Sequence, residues 1–152
     1  MIILEKSRGF NYLVRGVKRN LKTILIIEDD PDAVEMLTVF FEKKGDKVVS
    51  AENGIDGLTM IKFLKPDVII LDLMIPGMDG KSLVSRMREN IYMKDKMIIV
   101  ISGMFTQHYT GETIQDLDVQ AVFSKPVNLK KLYASIEGFS QKPSAGKSTT
   151  KR

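Results

Sequence analysis

Four acidic side chains stand where β-branched runs end. Glu28-Asp29-Asp30 follow the run Thr23–Ile27, and Asp72 follows Val68–Leu71. Ser102 and Lys125 close two further runs of the same kind. Carboxylates brought into one crevice repel one another, and the usual remedies are protonation or a bound cation. The chain has no cysteine and a single histidine, His108, so thiolate sites, disulfides, thiol nucleophiles and imidazole-rich zinc sites are excluded. An incomplete set of two or three oxygen ligands suits Mg²⁺, which keeps several of its waters. A hydroxyl from Ser102 and an ammonium from Lys125 would complete a cradle for a phosphoryl group. One carboxylate could itself be the nucleophile, as in enzymes that form aspartyl phosphates.

Such a cradle needs elements that bring those run ends together. After 23–27, Pro31 suits a first helical turn, and Val34, Leu37, Phe40 and Phe41 recur at helical spacing until Gly45. A strand over 47–51 leads through Asn53-Gly54 to a helix across Leu58, Ile61 and Leu64, ended before Pro66. The third strand, 68–71, is followed by the turn-rich 76–80 and a helix through Leu83, Met87 and Ile91. Residues 97–101 form the fourth strand, 105–117 a weak helix and 119–123 the fifth strand. Leu129, Leu132, Tyr133 and Ile136 mark the last helix. Five strands alternating with five helices predict an α/β, flavodoxin-like, doubly wound five-stranded parallel sheet in the order 2-1-3-4-5. In such sheets the functional crevice lies beyond the carboxyl ends of the strands, where the first and third strands are neighbours about 4.8 Å apart.

With 152 residues, 43% hydrophobic and 28% charged, the chain has the balance of one ordinary globular domain with short extensions. The net charge of +4 divides unevenly. Residues 1–22 carry six basic side chains and one acid, 138–152 four basic and no acid, which leaves 23–137 at −5. The expected organisation is a basic N-terminal extension (1–22), an acidic domain (23–137) and a basic, disordered tail (138–152). The longest apolar run, 97–101, is far short of a membrane span, and no secretory core region stands near the start. A cytoplasmic protein with no membrane partner is expected. Gly146-Lys147-Ser148 echoes a phosphate loop, but Gln141 stands where its first glycine belongs. The stretch 10–22 mixes aromatic and basic residues and could meet nucleic acid or an anionic membrane; an unstructured leader is the favoured reading.

Ile24-Leu-Ile-Ile-Glu-Asp-Asp-Pro31, Ile70-Leu-Asp-Leu-Met-Ile-Pro-Gly-Met-Asp-Gly80, Val100-Ile-Ser-Gly103 and Phe123-Ser-Lys-Pro126, in this order, resemble the response-regulator receiver domain of two-component signalling over residues 23–137. The resemblance implies that Asp72 takes phosphate from a histidine kinase or phosphotransfer protein. It implies that Glu28, Asp29, Asp72 and the backbone carbonyl of Met74 bind Mg²⁺. Ser102 would bond a phosphoryl oxygen, Lys125 would pair with the phosphoryl group, and a cis bond would precede Pro126. The sequence departs from the pattern in three places. Glu28 stands where the family often has Asp. Val122 takes the place of the switch aromatic, with Phe123 on the opposite strand face. Met74 and Met104 occupy the variable positions near the site, and neither side chain can act as a base.

Asp30, beside Pro31, is expected to cap a helix, and Asp79 to serve the turn or the start of the following helix; His108 is expected at the surface, and the nine methionines in the core. Only 15 residues follow Glu137, so the expectation is a single-domain regulator that acts by contact with a protein target or passes its phosphate on. Phosphorylation-dependent pairing of two copies is a further possibility the resemblance raises. Such a switch is no enzyme beyond its own phosphorylation and dephosphorylation. The alternatives are a Mg²⁺-dependent phosphatase or phosphotransferase, and a protein that binds nucleic acid through its basic ends. Haloacid-dehalogenase-like enzymes need a second Asp two places after the nucleophile, where this chain has Met74.

Overall fold

The structure is a computed structural model that describes residues 11–14, 17–103 and 116–140. Two short strands, β1 (Asn11–Val14) and β2 (Val17–Asn20), pair antiparallel with Val14 opposite Val17. These strands fall within the basic N-terminal extension 1–22, of which residues 1–10, 15 and 16 lie outside the described residues. Then follow β3 (Thr23–Ile27), α1 (Pro31–Lys43), β4 (Lys47–Ala51), α2 (Gly54–Leu64), β5 (Val68–Leu71), α3 (Gly80–Glu89), β6 (Met97–Ser102), β7 (Ala121–Ser124) and α4 (Leu129–Ser140). The strands β3 to β7 form one parallel sheet ordered β4-β3-β5-β6-β7. Counted from β3, that is the order 2-1-3-4-5.

Helices cover both sides of the sheet, so its central strands read as unbroken apolar runs. Alternate residues of each strand enter separate cores. Leu25, Ile27, Ile69, Leu71, Ile98 and Val100 meet Ile61, Leu83 and Met87 of α2 and α3. Ile24, Ile26, Ile70, Ile99 and Ile101 meet Leu37 and Phe41 of α1 and Leu132 and Ile136 of α4. Among the described residues no helix is long and apolar enough to cross a membrane.

Caps set where the helices start. The Asp30 side chain accepts the Asp32 N–H with Pro31 at the first position of α1. Asn53 accepts the N–H of Asp56 at α2, and Asp79 that of Ser82 at α3. Each such cap is worth about 1 kcal/mol. Asp30 and Asp79 are thus capping residues, as expected. Ile91 is not where its spacing placed it. α3 ends at Glu89 because Asn90 turns out of the helix and accepts the Tyr92 N–H, which leaves Ile91 82% exposed and buries Met93 instead. The last strand begins at Ala121 rather than 119, since Val119 turns back to bond the Leu117 carbonyl. Four helices are described; the weak helix at 105–117 falls almost wholly outside the described residues, as do Met104 and His108.

At Gly57 the backbone of α2 lies directly on β3. A Cβ there would stand 2.5 Å from Cδ1 and 3.0 Å from Cγ1 of Ile27, a side chain with no exposed surface. Gly57→Ala is therefore expected to destabilise the domain by about 1–3 kcal/mol in urea unfolding, because the overpacked isoleucine cannot retreat.

Candidate active site

The chemistry-bearing residues continue the hydrogen-bond ladders of the sheet one step past its strands. The Glu28 N–H bonds the Ala51 carbonyl, the Asp72 N–H the Ile27 carbonyl, and the Lys125 N–H the Ser102 carbonyl, each at 3.0 Å. Backbone pairing, not loop packing, thus aligns residues from β3, β5, β6 and β7 along one edge. Glu28, Asp72 and Ser102 are buried there and Asp29 is exposed.

Carboxylate oxygens of Glu28, Asp29 and Asp72 lie within 4.8 Å of one another. Lys125, reached through a cis bond to Pro126 as the resemblance implied, extends Nζ to 2.7 Å from Glu28 Oε2 and 2.6 Å from Asp72 Oδ2. The other oxygen of each buried carboxylate is held by backbone. Asp72 Oδ1 accepts the Met74 N–H at 2.9 Å, and Glu28 Oε1 accepts the Asp30 N–H at 3.1 Å. Both carboxylates are fixed at both ends, which leaves little orientation to be found on reaction.

The electrostatics are unbalanced. Burial, with the Asp72 charge adding to it, pushes the Glu28 carboxyl up from its ordinary range, and the bonds from Lys125 and Asp30 only partly offset this. Burial also works against the Lys125 ammonium. Its hydrogen bonds and charge pairing with Asp72 and Glu28 outweigh that, and its pKa is raised. Three carboxylates and one ammonium leave two negative charges in the crevice, and every ligand atom on offer is oxygen. That donor set fits a hard divalent ion of the Mg²⁺ kind, with Asp29 at the mouth and Glu28 and Asp72 behind it.

A pH dependence follows. A carboxyl whose folded pKa exceeds its unfolded one favours the fold while protonated, and that contribution is lost as pH rises through the folded value. In chelator, the stability of wild type relative to Glu28→Gln is expected to fall as pH is raised from about 4 towards neutrality. Urea titrations of both proteins across that window check it, and a constant or rising difference would contradict the assignment.

The structure brings together Glu28, Asp29, Asp72 and Lys125, with Ser102 on the strand between Asp72 and Lys125. Met74 joins them through its N–H, its side chain being exposed. The N–H groups of Asp30 and Met74 are functional parts that no residue-type pattern shows, because any non-proline residue supplies one. A cavity of about 280 Å³ adjoins the site, between Met36 and Leu37 of α1 on one side and Pro126 and Val127 on the other, and it too was not foreseen. Val122 packs into the core on the α2–α3 side and Phe123 into that on the α1–α4 side, so the two lie on opposite faces of β7 as expected.

Parallel order, crevice and acid–lysine cluster define an α/β domain of the doubly wound class with a carboxylate–lysine site beyond the carboxyl ends of its strands. The response regulator receiver domain family matches residues 24–137, and the chain belongs to that family. It is 32% identical over 129 residues to the phosphate regulon transcriptional regulatory protein PhoB of Pseudomonas aeruginosa, covering 84% of this chain and 55% of PhoB. The chain thus spans about half the length of such curated relatives. Among solved structures, the signal receiver domain of a DNA-binding response regulator from Colwellia psychrerythraea 34H superposes with a TM-score of 0.70 at 34% identity, covering 79% of this chain and 98% of that one. The receiver domain of a sensor histidine kinase from Pseudomonas aeruginosa PAO1, determined with a magnesium ion coordinated in its active site cleft, has a TM-score of 0.71 at 20% identity. It covers 78% of this chain and 97% of its own and shares the fold.

Proposed function

We propose that the protein is a phosphorylation-controlled switch in which Asp72 accepts a phosphoryl group from a histidine kinase or phosphotransfer protein. The observation that carries this is the double anchoring of the buried Asp72 carboxylate by the Met74 N–H and the Lys125 ammonium, beside Glu28 and Asp29. An Asp72 oxygen attacks phosphorus, the phosphorus–nitrogen bond of the phosphohistidine breaks, and its electron pair leaves with the imidazole. Lys125, released from Asp72 Oδ2 as that charge is consumed, is within reach to pair with a phosphoryl oxygen, and Ser102 offers a hydroxyl. Glu28, Asp29, Asp72 and the Met74 carbonyl would hold Mg²⁺, which supplies charge neutralisation to the incoming phosphate. The magnesium bound by the structurally similar kinase receiver supports that assignment.

In this reading the protein acts in the cytoplasm, catalyses only its own phosphorylation and dephosphorylation, and signals by contact or hands the phosphate on. A phosphatase role is disfavoured by Met74, whose apolar side chain stands two residues after Asp72. Because Met74 brings no base to an attacking water, the acyl phosphate is expected to outlast seconds; phosphate release followed in purified protein checks this, and decay within seconds would count against it.

The test is intact mass after incubation with Mg²⁺ and a small-molecule phosphodonor, with and without chelator. One phosphate, taken up only with Mg²⁺ and absent from Asp72→Ala, is the expected outcome. Phosphate retained by that variant would refute the assignment.

A further inference from the structure

We infer that two copies of the protein pair through the outer face of α2, antiparallel and about a two-fold axis at Thr59. The three most exposed large apolar side chains of the described residues are Ile91 (82%), Phe63 (81%) and Ile55 (61%), and two of them stand on this one helix. Ile55, Thr59 and Phe63 follow one another at every fourth position and form one exposed stripe about 12 Å long. The opposite face of α2 is already used, with Gly57 against Ile27 and Ile61 in the core. On α3, which packs on the same side of the sheet, the exposed residues are Ser82, Ser85, Arg86 and Glu89, all polar. An apolar stripe beside such a surface marks a contact.

The charges along the stripe select a second copy. The exposed ionic residues between 52 and 66 are Glu52 and Asp56 at the start of α2, and Lys62 and Lys65 at its end. A face that is acidic at one end, apolar between and basic at the other complements itself when reversed. A two-fold axis at Thr59 sets Ile55 of one copy on the partner's Phe63, and lays each acidic first turn along a basic last turn. Parallel pairing would set acid on acid and lysine on lysine, with the two helix dipoles aligned. Lys65 holds its ammonium 4.5 Å from the Tyr92 ring centroid, which ties the segment bearing Ile91 to the basic end of the stripe. Glu89, Lys94 and Asp95, exposed around Ile91, are of both signs and select nothing further.

Thr59 suits the axis. It is small enough for two helices to approach closely, and its hydroxyl already donates to the Ile55 carbonyl at 3.0 Å, so burying it strands no donor. No residue of the stripe is among the partners that hold Asp72, so pairing through α2 does not wait on phosphate. One helix face with the neighbouring Ile91 and Tyr92 falls short of the roughly 800 Å² per partner of a standard interface, and the dimer is expected to be weak and to exchange.

The test is sedimentation velocity of the full chain from micromolar to near-millimolar concentration, with cysteine cross-linking as a second readout. A shift from monomer to dimer as concentration rises is expected, the same with and without Mg²⁺ and phosphodonor. Ile55→Ser and Phe63→Ser, both exposed and so compatible with folding, should each weaken it about tenfold or more. Lys62→Glu and Asp56→Lys should each weaken it by setting like charges together, and mixing those two variants should restore pairing. The chain has no cysteine of its own, so Thr59→Cys is expected to oxidise to a disulfide-linked dimer across the axis, while Ile55→Cys and Ser85→Cys are not. A monomer at every concentration would leave the stripe to a different protein and overturn the inference. Pairing only after phosphorylation, pairing unchanged by both serine variants, or cross-linking of Ile55→Cys in preference to Thr59→Cys would overturn it as well. Thr59→Cys alters one exposed side chain, so the cross-link decides even if a serine variant fails to fold.

Discussion

Asp72→Asn protein is expected to take up no phosphate, a loss on the order of 10³-fold or more, yet to unfold in chelator within about 1 kcal/mol of wild type. The first half follows because the amide is no nucleophile. Glu28 shares the anchoring on Lys125 and a backbone N–H, but burial pushes its carboxyl up and favours the protonated, non-nucleophilic form, and Asp29 is exposed at the mouth. The second half follows from two opposed effects. The variant loses one charge-assisted bond to Lys125, but it also removes a buried charge that lies beside Glu28 and helps push its carboxyl up. Affinity for Mg²⁺ should fall at the same time, since the donor set loses a full negative charge. Intact mass, urea unfolding and Mg²⁺ titration read the three parts separately. Large destabilisation without metal would mean that Asp72 is chiefly a structural partner of Lys125.

Most of this site is legible in the sequence because it hangs on strand ends. Glu28, Asp72, Ser102 and Lys125 each directly follow or close an apolar run, and a parallel sheet of known order brings such positions to one edge whatever the loops do. Asp30 and Asp79 were legible for a similar reason, since a cap acts over two or three residues. Ile91 shows where periodicity stops informing. Its spacing from Met87 continues the helix, but Asn90 can bond its own backbone and ends the turn first. What holds the two buried carboxylates in place was not legible either, because Met74 and Asp30 contribute backbone N–H groups that carry no residue signature. The β1–β2 ribbon carries no such signal, because a basic, mixed-pattern stretch shows neither helical nor alternating spacing.

Lys125→Met should separate the two roles that the ammonium combines. In the metal-free protein Lys125 stands between two buried carboxylates, at 2.7 and 2.6 Å. Its removal leaves two buried carboxylates facing each other with no cation between them. Breaking a buried pair by deleting one partner costs several kcal/mol, and the partly exposed Lys125 side chain moderates this to about 2–3 kcal/mol in chelator. Mg²⁺ should restore more stability to the variant than to wild type. The ion and the ammonium compete for the same oxygens, so removing the ammonium is expected to tighten Mg²⁺ binding roughly tenfold. Phosphoryl uptake at saturating Mg²⁺ should nonetheless fall about 10²-fold, because a fixed cation aimed at the developing charge is lost and a mobile one does not replace it. Thermal unfolding with and without Mg²⁺, set beside phosphorylation time courses, gives all three quantities, with Lys130→Met on the exposed start of α4 as the control. Tighter metal binding together with slower chemistry is the signature that a lysine serving only to hold the fold together would not give: there, metal affinity and phosphate uptake would fall with stability, and Mg²⁺ would rescue both.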